Sequence, residues 1–262
     1  MTQHDNVFNS GANAYSKPAA GLYMLREVIL GHELFDKAFK TYAERWRFKH
    51  PTPADFFRSM EDASGTDLDW FWRGWFFTTD NNDIGIKEIK KYRVTDEPTE
   101  EIKSKTDRYG RRVGDLGKNL FLIEMKADEV SENGSGEEKS LEEIATLNEY
   151  LMDNFSKEER ASLKKTKYFY EVIFEKPGGL VMPILAEITH ADGSVENKYY
   201  PAEIWRFNDN EVKKVLGTEK EIKSIQIDPN QLTADVNTEN NSWPKNEEGS
   251  KFDNFKKQKL AD

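Results

Sequence analysis

The spacing of the apolar residues changes once along this 262-residue chain, at 78–84. Before this point apolar residues recur at three- and four-residue steps, which is the spacing of one face of an α-helix. After it, short runs of β-branched and aromatic residues alternate with Gly, Pro, Asp and Asn, which is typical of strands and turns. The sequence therefore predicts an α+β protein, with a helical block at 1–80 and a β-sandwich at 81–229.

The helical block contains start and stop signals for four helices. Ser16 is predicted to cap the first helix, with Pro18 in its first turn and Gly31 at its end. The second helix carries an apolar stripe from 34 to 46. Thr52 and Pro53 begin the third helix, Gly65 ends it, and Asp67 begins the fourth.

The second unit contains eight runs that predict strands. A hairpin turn is predicted at 190–194, and Pro183 is expected to place its strand at a sheet edge or to mark a bulge. A long loop at 95–118 and a helical insertion at 140–167 interrupt the strands. Apolar residues are scarce from 230 to 262, which predicts a polar tail that is disordered or loosely tethered. The eight runs are 84–94, 120–126, 168–175, 180–190, 195–200, 203–207, 212–216 and 221–227.

Composition excludes several classes of function. A net charge of −10 argues against general binding to nucleic acid, and the absence of cysteine excludes disulfides, thiolate metal sites and a cysteine nucleophile. No apolar run reaches the roughly 18 residues of a transmembrane helix, and 1–13 lacks the features of a secretory signal. A soluble protein is expected, with export and a cytoplasmic location both open.

Three motifs in the helical block carry a family resemblance. They are Tyr-Ser-Lys-Pro-Ala at 15–19, Phe-Lys-His-Pro-Thr-Pro-Ala-Asp-Phe-Phe at 48–57, and Gly-Thr-Asp-Leu-Asp-Trp-Phe-Trp-Arg-Gly-Trp-Phe at 65–76. Together they resemble the aminopeptidase N family of zinc metallopeptidases, of the gluzincin type, downstream of its zinc-binding motif. The resemblance implies zinc as cofactor, a peptide cleaved at its N-terminus as substrate, and an immunoglobulin-like sandwich after the catalytic domain.

The same resemblance assigns a catalytic role to Tyr15, as the residue that stabilises the tetrahedral intermediate. The alternative is a structural role, with Tyr15 packing on the first turn of its helix. His32 and Glu33 begin a sequence like His-Glu-x-x-His, but the fifth residue is Asp36, so no metal ligand is assigned within the chain. The zinc ligands are expected upstream, and the chain is expected to be the C-terminal part of such an enzyme, inactive alone.

Two further features have plain structural interpretations. Asp67 and Asp69 are expected at a helix start, and the tryptophan-rich stretch at 70–75 is expected to belong to the core and to the boundary between the two units. A non-catalytic interaction scaffold or binding module with the same fold stays open as the alternative function. An upstream His-Glu-x-x-His would favour the enzyme. Substrate side-chain preference and oligomeric state have no signal in the sequence.

Overall fold

A computed structural model describes residues 9–95, 103–104, 112, 121–125, 156–157 and 165–245. Short π-helical turns, Ala12–Ser16 and Leu25–Ile29, extend the first helix at both ends. Ser16 has helical backbone angles and its side chain caps nothing, so the predicted cap at this residue is wrong. The α-helices are α1 (Lys17–Met24), α2 (His32–Trp46), α3 (Pro53–Ser64) and α4 (Asp69–Phe77).

The limits of α3 agree with the local sequence signals. The Thr52 and Asp55 side chains bond reciprocally to each other's backbone N–H, which forms a capping box. Gly65 ends the helix in the left-handed conformation, with φ of 68°. Aromatic contacts then join the helices: the rings of Tyr42 and Phe56 lie 4.8 Å apart, edge to face. The helical block is therefore held by aromatic packing among its own elements.

After the helices, the described residues include eight strands in two antiparallel sheets, which confirms the α+β class. One sheet has the order β2-β1-β3-β6, and the other has the order β5-β4-β7-β8. The strands are β1 (Gly85–Thr95), β2 (Phe121–Met125), β3 (Tyr168–Glu175), β4 (Ile184–His190), β5 (Val195–Tyr200), β6 (Glu211–Thr218), β7 (Ile222–Ile227) and β8 (Ser242–Trp243).

The two sheets share a buried core. Tyr170 of β3 is fully buried, and its hydroxyl oxygen accepts a 2.9 Å hydrogen bond from the Ile222 backbone N–H of the other sheet. The rings of Phe174 and Tyr200 also meet, with centroids 5.8 Å apart. These contacts join one sheet to the other, so the sheets form two packed layers.

Three predictions for this second unit are wrong. The run at 203–207 belongs to a 3₁₀-helix, Ala202–Arg206, instead of a strand. Pro183 precedes β4, which is an internal strand of its sheet, so it marks neither an edge strand nor a bulge. The predicted disordered tail begins too early, because residues up to 245 are ordered and include the 3₁₀-helix Thr238–Asn240 and β8.

Other predictions agree with the structure or fall outside it. The β4–β5 hairpin turns at 190–194, with Gly193 at φ of 82°. Nearly all of the predicted helical insertion at 140–167, most of the loop at 95–118, and 246–262 lie outside the described residues. In the part of the chain that is described, no helix combines the length and apolar character needed to cross a membrane.

The helices and sheets belong to one buried apolar cluster, which includes Trp75 of α4 and Ile184 of β4. Gly74 lies so close to the second unit that an added Cβ would be 2.9 Å from Leu180 Cδ2. Backbone hydrogen bonds between Asn81 and the turn at 178–180 reinforce this contact. The helical block is thus packed directly against the sheet unit.

Candidate functional site

Tyr15 lies on the π-helical turn Ala12–Ser16, and 76% of its surface is exposed. The turn is wider than an α-helix because the Lys17 N–H bonds to the Ala12 carbonyl oxygen, five residues back. π-Helical turns inside helices occur frequently at functional sites. The ring is not buried in the core, so the phenolic hydroxyl is available to a ligand.

The helix that carries Tyr15 is anchored to α4 by Trp75. The Trp75 indole Nε1 donates a 2.9 Å hydrogen bond to the Lys17 carbonyl oxygen. Gly21 makes this approach possible, since an added Cβ would lie only 2.4 Å from the same nitrogen. The indole is itself held by a parallel stack on Phe71, with centroids 6.2 Å apart. The acceptor of this bond is therefore two residues from Tyr15 in the sequence, and its donor is a buried tryptophan.

A charged network occupies the corner between the first two helices. Arg26 bonds to both carboxylate oxygens of Asp36, at 2.7 and 3.0 Å, and its Nη1 lies 3.1 Å from Glu27 Oε1. His32 Nε2 lies 2.7 Å from the other Glu27 oxygen. The bond from His32 lowers the pKa of Glu27, and the bond from Arg26 lowers that of Asp36. His32 and Asp36 are thus engaged with different partners and do not converge as metal ligands.

Glu61, Asp67 and Asp69 have carboxylate oxygens within 4.8 Å of one another. Glu61 accepts a bond from the Leu68 N–H at 3.0 Å, and Asp67 accepts one from the Asp69 N–H at 3.1 Å. Burial, with a smaller effect of the two aspartates, raises the pKa of Glu61. These bonds close the turn between α3 and α4. Asp69 is the first residue of α4, whereas Asp67 lies two residues before it, so the predicted helix start at Asp67 is wrong.

An open groove of about 500 Å³ runs between α3 and α4, next to these acids. Trp72 forms part of its lining but is 97% buried against other aromatic rings, including a 4.6 Å stack on Phe57. This agrees with the prediction that the tryptophan-rich stretch belongs to the core. Tyr15 is not among the residues that line the groove, so the groove and the exposed phenol are separate features.

Comparison with known proteins relates the helical block to a peptidase family. Residues 1–75 match the family model of the Peptidase family M1 domain. This match includes Tyr15, Gly21 and Trp75, and it confirms the relationship to the M1 aminopeptidases that the motifs indicated. The matched segment ends within α4, so the likeness concerns the helical block.

A solved structure gives a weaker likeness. Aminopeptidase A of Legionella pneumophila, in a crystal structure with aspartic acid, is similar with a TM-score of 0.39 and 15% sequence identity. The match covers 82% of this chain and 16% of that protein's chain. The chain thus spans about a sixth of that relative's length. A search of curated proteins finds no match.

The sequence makes Tyr15 a candidate through the family resemblance but does not reveal that Trp75 anchors its helix. Gly21 lies inside a helix, where glycine costs about 1 kcal/mol relative to alanine. In the structure, the close approach of the Trp75 indole gives this glycine a packing reason. The glycine itself is visible in the sequence, but only the structure identifies Trp75 as the approaching group.

Proposed function

We propose that the helical block contributes to the active site of a zinc-dependent aminopeptidase, in which Tyr15 stabilises the tetrahedral intermediate. The observation that supports this proposal is an exposed phenol on an anchored π-helical turn, within the segment that matches the peptidase family. The substrate is a peptide cleaved at its N-terminus. The two-sheet unit takes the part of the immunoglobulin-like domain that follows the catalytic domain.

The chemistry of this role follows from the phenol. A phenolic hydroxyl is a neutral hydrogen-bond donor at pH 7. When the scissile carbonyl becomes tetrahedral, its oxygen gains negative charge, and a donor fixed at that position stabilises the transition state more than the substrate. The Trp75 bond to Lys17 limits movement of the helix that carries this donor. A hydrogen-bond donor must already be held in position to stabilise the transition state fully. If the helix had to move first, the cost of that movement would reduce the stabilisation.

The described residues do not fit a catalytic zinc site. Such a site takes three protein ligands and is rich in histidine. His32 bonds to Glu27, and the cluster of Glu61, Asp67 and Asp69 contains carboxylates only. We therefore assign the zinc ligands to polypeptide outside the described residues, upstream of Tyr15, and we expect the 262-residue chain alone to lack aminopeptidase activity.

The test compares Tyr15→Phe with Tyr23→Phe in the polypeptide that joins this chain to a His-Glu-x-x-His segment. Tyr23 is the matched control, because it is on α1 and 53% exposed. Loss of one oxyanion donor lowers kcat by about 100- to 1000-fold with a much smaller change in KM, whereas the control keeps its activity. Zinc content and thermal stability are measured in parallel. A Tyr15→Phe enzyme with bound zinc and near-normal kcat would show that Tyr15 is structural.

The assay also separates the enzyme from the interaction scaffold. The 262-residue chain is tested alone with aminoacyl reporter substrates and zinc, and no hydrolysis is expected. Hydrolysis that a chelator abolishes would show that the chain itself holds the metal. If the adjoining polypeptide lacks His-Glu-x-x-His and the joined protein is inactive, the non-catalytic scaffold replaces the enzyme as the function.

A further inference from the structure

The groove between α3 and α4 has the size and the lining of a small-molecule site. Its volume of about 500 Å³ is within the range of roughly 300–1,000 Å³ that is usual for ligand pockets. Its aromatic lining consists of Phe57, Trp70, Trp72 and Phe77. Phe77 is 57% exposed, so part of this aromatic lining faces solvent. Exposed aromatic rings beside charged side chains indicate a ligand that is partly apolar and partly charged.

Acidic groups converge at one end of this groove. Glu61 and Asp69 line it, and their carboxylate oxygens lie within 4.8 Å of each other and of Asp67. Glu61 and Asp67 each accept one backbone N–H, which uses only part of the capacity of a carboxylate. Within the described ranges of the chain, none of the three forms an ion pair. This end of the groove therefore attracts a positively charged group.

A buried indole at the same end lacks a hydrogen-bond acceptor. Trp72 is 3% exposed, and its Nε1 has no hydrogen-bond partner among the described residues. Burial raises the pKa of Glu61 and the Trp72 N–H lowers it, so the indole nitrogen lies near this carboxylate although the two do not bond in ordinary geometry. An indole N–H only donates, so a metal ion would leave it unsatisfied. The ligand that satisfies both groups carries an acceptor oxygen next to its cation, as the N-terminal residue of a peptide does.

Two arginines line the groove on either side of a stacked pair of rings. Arg58 is on α3 and Arg73 is on α4, and the rings that directly precede them, Phe57 and Trp72, stack with centroids 4.6 Å apart. In the part of the molecule that is described, neither guanidinium forms a hydrogen bond or an ion pair. Arg58 also acts on the carboxylate of the α3 capping box, but from beyond ion-pair distance. Two free guanidinium groups in one groove indicate an anionic group as their ligand.

The spacing of these charges sets the length of the ligand. On α3, Arg58 precedes Glu61 by three residues, and on α4, Arg73 follows the other acid, Asp69, by four. Each arginine is thus about one helical turn, about 5.4 Å, from the acid on its own helix. Two extended peptide residues span about 7 Å, whereas the ammonium and carboxylate of a free amino acid share one carbon. A dipeptide therefore extends from the acids to the arginines, and a single amino acid is too short.

We propose that this groove binds a dipeptide in its zwitterionic form. Glu61 and Asp69 bind the ammonium group, and Trp72 donates to the first carbonyl oxygen. Arg58 and Arg73 bind the terminal carboxylate. The exposed aromatic rings hold an apolar side chain of the dipeptide. This site uses none of the residues that carry the proposed peptidase activity and is independent of it.

The direct test is calorimetric titration of the 262-residue chain with leucyl-phenylalanine, in the presence of a chelator so that hydrolysis contributes no heat. We expect one dipeptide per chain, with a dissociation constant below about 1 mM. Acetylating its N-terminus or amidating its C-terminus removes one charge, and either change should weaken binding by about tenfold or more, as should replacement by free phenylalanine. No binding up to about 10 mM, or undiminished affinity for any of these three compounds, would overturn the proposal.

Variants then locate the dipeptide. Arg73→Gln should lower the affinity for leucyl-phenylalanine by about tenfold or more and leave binding of the amidated compound unchanged, which separates a lost contact from damage to the groove. Asp69→Asn tests the ammonium end in the same way against the acetylated compound. Arg206→Gln is the matched control, because Arg206 is exposed and lies outside the groove. If Asp69→Asn does not fold, Arg73→Gln carries the test. Wild-type affinity in folded Arg73→Gln would place the dipeptide elsewhere and overturn the proposal.

Discussion

Replacing Gly21 by alanine tests the anchor between the Tyr15 helix and α4. In an unconstrained helix this substitution stabilises by about 1 kcal/mol. Here the added Cβ would lie 2.4 Å from Trp75 Nε1 and 2.7 Å from Trp75 Cδ1, closer than real Cβ contacts allow. The indole cannot move away without cost, because it bonds to the Lys17 carbonyl and stacks on Phe71.

The expected magnitude follows from three contributions. Overpacking costs about 1–3 kcal/mol. Displacing the indole removes its hydrogen bond to Lys17, which contributes about 1 kcal/mol. The gain in helix propensity offsets about 1 kcal/mol of these losses. Gly21→Ala should therefore lower the free energy of unfolding by about 1–3 kcal/mol, against the direction that helix propensity alone predicts.

Urea unfolding followed by circular dichroism measures this change. Gly11→Ala is the matched control, since Gly11 has helical backbone angles and a Cβ added there would meet nothing within 4 Å. The control should be unchanged or slightly more stable. A Gly21→Ala protein as stable as the control would refute the reasoning, because it would show that Trp75 adapts freely and does not fix the helix.

Two further substitutions test the cap of α3 and the contact between the sheets. Thr52→Ala removes the 2.6 Å bond from the Thr52 hydroxyl to Asp55 and should cost about 1 kcal/mol in urea unfolding; an unchanged value would mean that the capping box contributes nothing. Tyr170→Phe leaves the buried Ile222 N–H without its acceptor and should cost about 1–3 kcal/mol at pH 7. Burial also raises the pKa of Tyr170, so the wild type loses stability as pH rises above about 10, where the unfolded tyrosine ionises first; a Phe variant with the same alkaline loss would exclude Tyr170 as its source.

Local signals predicted the helices best where the chain itself satisfies the helix end. Thr52, Asp55 and Gly65 act within a few residues of each other, so the limits of α3 could be read from the sequence. Ser16 is the contrary case. The helical path continues back from Lys17 through the π-helical turn. Pro18, two residues after Ser16, lacks an N–H and lies where the π-helical hydrogen bonds give way to α-helical ones.

The 3₁₀-helix Ala202–Arg206 shows why apolar, β-prone residues were misread as a strand. Strand propensity of large side chains reflects how they pack and not a fixed backbone preference. Trp205 is buried, and its Nε1 donates a 2.9 Å bond to the Met182 carbonyl oxygen. Trp205 contributed to the prediction of a strand, but its burial and its hydrogen bond to Met182 are both compatible with a 3₁₀-helix.

The candidate site was accessible to sequence only through family resemblance. Tyr15 is exposed, and an exposed residue leaves no trace in apolar periodicity, so the catalytic role proposed for it could not be derived from spacing. Taken locally, Gly21 is a residue of low helix propensity and Trp75 is an aromatic residue of the core. Their contact joins α1 to α4 across more than fifty residues, and no local pattern encodes such a pairing.

The polar segment after 230 was predicted to be disordered for a related reason. In the described part, 230–245, the order depends on carboxylates rather than on apolar burial: Asp228 accepts bonds from the Leu232 N–H, the Thr233 N–H and the Thr233 hydroxyl. Hydropathy counts such residues as solvated, although here they are removed from water. A segment ordered in this way needs every buried polar group to be paired. Asp235 extends the same pattern, because its carboxylate accepts bonds from the Ile84 and Asn237 N–H groups and so connects this segment to the residue that precedes β1.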